Sequence, residues 1–213
     1  MRMSSTALAL TLVLGAATAH AAPVLYDFES TPATGVSTGG YASLSLTESG
    51  LTMVVTGSAS NFDVVDNTAG QAGKPASWGL RSLSPFVHES GDPFILDFSA
   101  AIGSLSVEFG DYGADAPDIL TLTAYSGAGG TGSILDTDSV SFLALAFPGF
   151  ATGSVAASGI RSVVMIAGTS GFPHSAFYDN VLVNAPVPEP GTFALMGFGL
   201  ALAGVATRRR SRS

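Results

Sequence analysis

The chain contains no cysteine, which excludes disulfide bonds, thiolate nucleophiles and cysteine-ligated metal sites. Positive charge is almost as scarce: between the basic residues at the two ends of the chain, only Lys74, Arg81 and Arg161 oppose sixteen acidic residues. This middle part therefore has a net charge of −13, whereas the whole chain has −8. A body this acidic repels phosphate backbones and tolerates divalent cations, which argues against nucleic-acid binding.

The body also lacks a recognisable catalytic motif. Once a signal segment is removed, only His88 and His174 remain, and neither belongs to a His-x-His or His-Glu-x-x-His pair. Residues 35–39 match the Gly-x-Ser-x-Gly pattern, but that motif works only at a strand-to-helix turn, and no helical segment follows them. A pair of hydrolytic carboxylates is defined by spatial distance, which a sequence does not disclose. The sequence therefore predicts a non-enzymatic protein, with a secreted hydrolase as the weaker alternative.

Residues 1–21 have the three parts of a secretory signal peptide in the right order. Arg2 supplies the positive start, residues 7–17 form an apolar run too short to span a bilayer, and Ala19 and Ala21 are the small residues that a signal peptidase reads. We therefore expect export by the secretion machinery and cleavage before Ala22. The alternative is a buried N-terminal helix.

The other end of the chain has a second three-part pattern. Pro188, Glu189 and Pro190 precede residues 191–207, a run of 17 residues without charge. As a helix this run is about 26 Å long, near the lower limit for crossing a bilayer, and the prolines end any helix before it. The basic residues that follow stay in the cytoplasm under the positive-inside rule, which places the acidic body outside. They are Arg208, Arg209, Arg210 and Arg212, within a tail at 208–213.

This order of Pro-Glu-Pro, short Gly- and Ala-rich apolar helix and terminal arginine cluster resembles the PEP-CTERM sorting signal of Gram-negative bacteria that make exopolysaccharide. The resemblance covers residues 187–213. It implies that an exosortase, a membrane-embedded cysteine transpeptidase-like enzyme, recognises Pro188, Glu189 and Pro190 and cleaves near them. It further implies a transient inner-membrane anchor at 191–207, a stop at the arginines, and a final location at the cell surface or outside the cell. The alternative is a plain single-span anchor that is never removed.

Between its two ends the sequence alternates with the period of a β-strand. At 104–109, for instance, Leu105, Val107 and Phe109 lie on one face and polar residues on the other. Other predicted strands are 24–29, 43–46, 51–56, 62–66, 93–98, 119–125, 139–146, 150–156, 161–167 and 176–183. Gly-rich turns separate them, so residues 22–184 are predicted to form an all-β domain, a two-sheet antiparallel sandwich. We favour a jelly roll over an immunoglobulin-like sandwich, with residues 185–190 as an extended linker.

The first and last predicted strands carry acidic residues that form a candidate metal site. They are similar to the ends of jelly-roll carbohydrate-binding modules, in which the two strands are neighbours and a structural calcium ion often sits. The resemblance implies Glu29 and Asp179 as ligands, with Asp27 as the third, since Ca²⁺ takes six to eight oxygens. By alternation Asp179 shares a face with Phe177, Val181 and Val183. If that face is inward, its charge must be paired or bound to a metal. The alternative is that these are ordinary turn and edge carboxylates.

A second acidic set consists of Glu108, Asp111, Asp115 and Asp118, followed later in the chain by Asp136 and Asp138. Its spacing does not match an EF-hand loop, and aspartates favour turns because they bond their own backbone. We interpret these carboxylates as turn residues that bond their own backbone.

Aromatic residues in the body are candidates for a sugar-binding surface. Trp78 lies in a Gly-rich loop, and Tyr125 points away from the apolar face of its strand, so both are predicted to stack on sugar rings. Aromatic side chains in small β-domains more often belong to the core or its rim. The favoured function is a non-enzymatic surface or matrix protein, and the alternative is a module that binds the cell's own exopolysaccharide.

Overall fold

The computed structural model describes residues 22–35, 38–57, 60–66, 75–85, 91–111, 117–142 and 149–184. In these ranges one 3-10 turn, Ala76–Trp78, accompanies a ten-stranded sheet in which the paired strands are antiparallel. The strands are β1 Val24–Tyr26, β2 Ser43–Glu48, β3 Leu51–Gly57, β4 Phe62–Asp66, β5 Arg81–Pro85, β6 Phe94–Asp111, β7 Asp118–Tyr125, β8 Ile134–Phe142, β9 Gly149–Gly168 and β10 Phe177–Asn184. The prediction of an all-β, antiparallel domain is confirmed.

Two long strands, β6 with 18 residues and β9 with 20, run through both halves of this sheet. The sequence predicted two shorter strands in each, because the alternation is interrupted at 99–103 and at 157–160. In the structure these interruptions are corners, where the register of β6 against β9 shifts on both sides of Ile102. Gly159 has a φ of 87° at the corner of β9, a conformation that L side chains rarely adopt. The halves are therefore joined by bends within continuous strands.

One half of the sheet has the order β2-β3-β6-β9-β7-β8, and the other has β4-β5-β10-β6-β9 with β1 also paired to β10. Because β6 and β9 belong to both halves, the sheet folds over and its inner faces share one hydrophobic core. Tyr26, Phe62, Phe94, Phe109 and Tyr178 are among its largest fully buried side chains. This arrangement is consistent with a β-sandwich.

A glycine allows the two halves to approach each other closely. Gly153 of β9 pairs with Val107 in one half, whereas Leu120 of β7 pairs with Ala167 in the other. A Cβ atom on Gly153 would lie 2.4 Å from Leu120 Cδ2 and 3.1 Å from Leu122 Cδ1. The space that a side chain would occupy at this position is therefore filled by two leucines of the opposite half.

Two carboxylates of β8 bind backbone donors of β9. Asp136 Oδ2 accepts a hydrogen bond from the backbone N of Ala156 at 2.7 Å, and Asp138 Oδ2 accepts one from the backbone N of Ser154 at 2.8 Å. Unpaired N–H groups along a strand invite pairing with another chain. These two aspartates therefore protect the edge of β9.

Both terminal segments singled out in the sequence lie outside the described residues. They are the predicted signal peptide at 1–21, the predicted linker at 185–190 with Pro188, Glu189 and Pro190, the predicted sorting helix at 191–207, and the predicted tail at 208–213 with Arg208, Arg209, Arg210 and Arg212. Among the residues that the structure does describe, no helix has the length and apolar character needed to cross a membrane.

Candidate functional site

A bulge in β10 determines which face of the strand carries Asp179. The register of β10 against β6 shifts between Asp179 and Leu182, and Asn180 has a φ of 49° at this point. Val181 packs in the main core, whereas Phe177 belongs to a separate cluster on the outer face. The prediction that Asp179 shares a face with Phe177, Val181 and Val183 is therefore wrong for the two valines, which lie in the main core. The extra residue of the bulge reverses the alternation.

The Asp179 carboxyl is buried without enough hydrogen bonds to satisfy it. Its side chain has no exposed surface, Oδ1 accepts a 2.7 Å hydrogen bond from the backbone N of Asn180, and Oδ2 has no partner. Burial, followed by the negative charges of Glu29, Asp27 and Glu108, raises the pKa of Asp179 to about 9, against the lowering effect of the Asn180 bond. Asp179 is therefore protonated at neutral pH unless a cation joins it.

Asn180 connects three elements around this carboxyl. Its Nδ2 donates to the backbone O of Ser77 in the 3-10 turn and to Glu108 Oε2 on β6, both at 2.9 Å. Ser77 Oγ donates to the same Glu108 oxygen at 3.1 Å. Glu108 pairs with Asp179 in the β6–β10 register, so the two carboxyl groups lie on adjacent strands. Glu108 is therefore part of this site, and the interpretation of it as a turn residue is wrong.

Glu29 anchors the loop that follows the 3-10 turn. Its Oε1 accepts hydrogen bonds from the backbone N of Leu80 at 2.6 Å and of Arg81 at 2.9 Å. Gly79 has a φ of 50°, and a Cβ atom there would lie 2.2 Å from Glu29 Oε1. Asp27 Oδ1 accepts a hydrogen bond from the backbone N of Glu29 at 3.2 Å. Asp27 thus bonds within its own segment, whereas Glu29 bonds the loop that follows the 3-10 turn.

The negative charges of Asp27, Glu29 and Glu108 all act on the Asp179 carboxyl, so these four residues form one acidic cluster. The pairing of β1 with β10 explains their proximity, since Tyr26 faces Val181. Within the described ranges, no three acidic or histidine side chains are arranged to hold a metal ion. The unpartnered Oδ2 of Asp179 is the one feature of this cluster that fits a bound cation.

The two predicted sugar-stacking residues have different environments. Trp78 has no exposed surface and packs edge-on against Phe150, with ring centroids 4.9 Å apart, beside Val65 and Phe177. This burial argues against a stacking role, because no face of the ring is free to receive a sugar. Tyr125 is half-buried on the outer face of β7, as its alternation predicts.

A hairpin loop covers part of the sheet next to Tyr125. Between β7 and β8 it folds back over the outer face, where the backbone N of Gly129 donates to Asp97 Oδ1 at 2.6 Å. Ser162 Oγ accepts from the backbone N of Gly130 at 3.0 Å and donates to the O of Gly127 at 2.6 Å. These bonds fix the loop across β9 and β6, beside Tyr125, which pairs with Ser162 of β9.

Comparison with known proteins assigns the C-terminal end of the chain. Residues 186–210 carry the PEP-CTERM protein-sorting motif. This confirms the resemblance seen in the sequence, and the PEP-CTERM motif implies an exosortase as the processing partner. The motif begins two residues after Asn184, the last residue of β10.

The comparison with curated proteins found no match for this chain. A solved structure with some similarity is the N-terminal CBM22-1–CBM22-2 tandem domain of Xyn10C from Paenibacillus barcinonensis. The similarity covers 81% of this chain and 48% of the other, with 16% sequence identity and a TM-score of 0.42. The chain therefore spans about half the length of that structure.

Proposed function

We propose that this chain is an exported, non-enzymatic surface or extracellular-matrix protein that is sorted and processed through its PEP-CTERM motif. The observation that carries the proposal is the motif itself, which follows a β-domain whose last strand ends at Asn184. In this proposal the signal peptide at 1–21 directs export, and the segment at 191–207 is a temporary membrane anchor. An exosortase then releases the domain. The jelly-roll connectivity of its strands stays a prediction.

The mass of the mature protein tests this proposal. Protein isolated from its native host is expected to begin at Ala22, to end at or near Pro190, and to lack Arg208–Arg212. Replacing Pro188, Glu189 and Pro190 by alanine should leave the uncut chain in the membrane fraction, because the recognition motif is lost. Asn184→Ala, which lies before the motif, is the matched control and should be processed normally. Retention of the arginines in the wild type would instead show a permanent anchor.

A second proposal concerns a structural calcium ion bound by Asp179 together with Glu29 and Asp27. The buried, unpartnered Oδ2 of Asp179 supports it, since Ca²⁺ binds carboxylate and carbonyl oxygens and compensates a carboxylate removed from water. Glu29 would offer Oε2, because its Oε1 already accepts two backbone hydrogen bonds. The ion would link β10 to the segment after β1 and so stabilise the fold.

Thermal unfolding with calcium and with a chelator tests the ion. Calcium is expected to raise the unfolding midpoint of the purified protein by several degrees, and Asp179→Asn should abolish this increase. Asparagine has the same shape without the charge, so the variant should remain folded in the chelator. Glu48→Gln changes an exposed carboxylate outside the cluster and should keep the full response to calcium. An identical midpoint of the wild type in both buffers would refute the proposal.

The alternative function is binding of exopolysaccharide, and one observation favours it. Tyr125 lies half-buried on the outer face of β7, so it is partly open to solvent, as stacking on a sugar requires. A glycan array probed with the purified protein, with and without calcium, decides between the two functions. Binding that Tyr125→Ala removes would support the alternative, and an absence of binding would exclude it.

A further inference from the structure

The outer edge of β2 has no neighbouring strand among the residues that the structure describes. β2 pairs along its whole length, Ser43–Glu48, with β3, its one partner strand within the described ranges. On the other side of β2, a row of backbone N–H and C=O groups therefore lacks partners from a strand. Such a row is a template on which a further strand can be added.

The turn of this hairpin determines which residues of β2 face the free edge. Ser49 and Gly50 have φ angles of 50° and 81°, as in a two-residue type I′ turn. A turn of this kind bonds Glu48 to Leu51 across the hairpin, and the bonding alternates from there along the strands. The even-numbered residues of β2 therefore bond to β3, whereas the odd-numbered ones direct their backbone groups outward.

The contacts of β3 agree with this alternation. Thr52 faces Thr47 in the register of β2 against β3, yet its backbone N donates to Ser99 Oγ on β6, at 3.0 Å. The two threonines meet through their side chains instead, with 2.8 Å between the Oγ1 atoms. The backbone groups of Thr47 therefore point to the free edge. By the same alternation so do those of Ser45 and Ser43, and all three residues are exposed.

The other edges of the sheet are shielded, each in a different way. The backbone of β4 exchanges hydrogen bonds with Tyr41 and accepts one from the N of Thr34. On β8, Asp136 and Asp138 lie opposite buried residues of β7, so two carboxylates point inward from that edge. β1 has only three residues. Covering loops, inward charges and short strands protect sheet edges from pairing. In the described part of the chain, β2 has none of these features before its last residue, Glu48.

Two copies of β2 are complementary to each other when they pair antiparallel about Ser45. In this register Ser45 faces Ser45 of the second copy, and Ser43 faces Thr47. These are the outward-bonding residues, so the pair forms about six backbone hydrogen bonds. Leu44 then faces Leu46 of the second copy, and both leucines pack partly against the core, so the apolar inner face continues across the junction. A register one residue off would oppose leucine to serine.

Charge also favours this edge as the contact between two acidic domains. Between Glu29 and Asp63 the sequence has a single charged residue, Glu48. In the register about Ser45, Glu48 faces Ala42 of the second copy. The two glutamates are then about six residues apart along the pair, roughly 20 Å. That distance exceeds the Debye length of about 8 Å at physiological salt, so the repulsion between them is screened.

We propose that β2 is a dimerisation edge, to which a second copy of this chain adds its own β2 antiparallel, with the twofold axis at Ser45. The two β2-β3-β6-β9-β7-β8 halves then form one continuous sheet. The interface uses the same edge on both copies, so it closes at two and leaves no free β2 edge for a third. The dimer goes beyond the proposed function and does not depend on removal of the C-terminal segment.

The absence of cysteine makes the register directly testable, because an introduced cysteine is the one thiol of its chain. In the proposed dimer the Cα atoms of residue 45 lie about 5.5 Å apart, as in a hydrogen-bonded antiparallel pair, which is within the range of a disulfide. Ser45→Cys in the full-length chain should therefore form a linked dimer on mild oxidation. Ser43→Cys is the matched control on the same exposed face, because its two copies are about 14 Å apart, too far for a disulfide.

The same register is tested at a second position by co-expressing Ser43→Cys and Thr47→Cys chains that carry different affinity tags. The mixed pair should give several-fold more disulfide than either variant alone, as Ser45→Cys should relative to Ser43→Cys. Ser45→Pro, added to both chains of the mixed pair, should abolish the link, because proline has no N–H to donate to the second copy. At an outward-bonding position of an edge strand, proline leaves the bonds to β3 in place. Ser45→Ala keeps the N–H and should leave the link unchanged.

A disulfide yield at position 45 no higher than at position 43 would overturn the proposal. A mixed pair that links no better than its separate variants would contradict the register and with it the dimer. A mixed link that persists with Ser45→Pro would show that strand pairing is not its cause. Ser45→Cys chains linked to a different protein, with no dimer, would assign the edge to a foreign strand instead. The unfolding midpoint of the proline chains shows whether they fold, and if they do not, the cysteine comparisons decide alone.

Discussion

Replacing Asp63 with alanine is expected to lower the free energy of unfolding by about 3 kcal/mol, because this carboxylate organises a whole loop. Asp63 is buried on β4 and accepts hydrogen bonds from Thr34 Oγ1 at 2.7 Å and from Thr38 Oγ1 at 2.5 Å. It also accepts bonds from the backbone N of Thr38 at 2.8 Å, of Gly39 at 3.0 Å and of Gly40 at 2.9 Å. Urea unfolding at neutral pH measures the loss.

The loss of stability on replacing Asp63 should extend beyond the loop. The loop continues into Tyr41, which links the two halves of the sheet. Directly after Gly40, Tyr41 exchanges two backbone hydrogen bonds with Phe62 of β4, at 2.9 and 2.8 Å. Tyr41 also stacks on the Phe62 ring, with centroids 5.9 Å apart. A loop released from Asp63 no longer holds Tyr41 in register. A variant that unfolds like the wild type would show that this network adds little to stability.

The contribution of Asp63 should also depend on pH in a defined direction. Burial alone would raise the pKa of Asp63, but the hydrogen bonds from Thr38, Gly40, Thr34 and Gly39 outweigh it and hold the pKa below the usual value of 3.8. The folded state therefore binds this proton less readily than the unfolded state does. The stabilisation is complete above pH 3.8 and is lost as the pH falls through the lowered pKa. Asp63→Asn, which cannot ionise, should accordingly approach the wild-type stability only in acid.

The alternation of polar and apolar residues predicted most of the strands, because each has one buried face. The pattern Leu105, Val107 and Phe109 on β6 was placed correctly, since all three side chains lie in the core. Corners within a strand have no such signature. Near Ala100 and Gly159 the sequence shows only small residues, which are equally typical of a loop, so β6 and β9 were each divided in two.

The candidate site was predictable in its location and not in its details. The pairing of β1 with β10 places the strand before Asp27 next to the strand that carries Asp179, as the sequence predicted. A metal ion bound by Asp27, Glu29 and Asp179 stays a prediction. The bulge at Asn180 depends on a single positive φ, which no residue pattern announces. Glu108 joins the site through the register of β6 against β10, a contact between residues far apart in sequence.

The burial of Trp78 was not predicted, for a related reason. Its burial depends on a 3-10 turn that lies over the outer face of the sheet and covers Val65 and Phe177. A second small core on the outside of a sheet is not visible in strand alternation, because alternation assigns outward residues to solvent. The signal that was available is the aromatic character of Phe177 and Phe150 at outward positions.

The second large loss of stability is expected for the variant Gly168→Ala, in the turn between β9 and β10. A Cβ atom on Gly168 would lie 2.1 Å from the O of Phe172, 2.7 Å from the C of Pro173 and 2.9 Å from the N of Ser175. These are backbone atoms, and they cannot move independently, since the N of Ser175 donates to the O of Ala167 at 3.0 Å. We expect a loss of about 3 kcal/mol in the free energy of unfolding, at the upper end of overpacking costs.

Gly171→Ala is the matched control, because it lies in the same turn and an added Cβ atom there meets nothing within 4 Å. It should unfold like the wild type, or slightly later, since alanine restricts the unfolded chain more than glycine does. The turn leads into β10 through His174, whose ring packs against Phe94 at a centroid distance of 4.7 Å and against Tyr178 at 5.8 Å. A displaced turn should therefore also shift the strand that carries Asp179, and Gly168→Ala should weaken any stabilisation by calcium. Equal unfolding of both glycine variants would contradict the close packing of this turn.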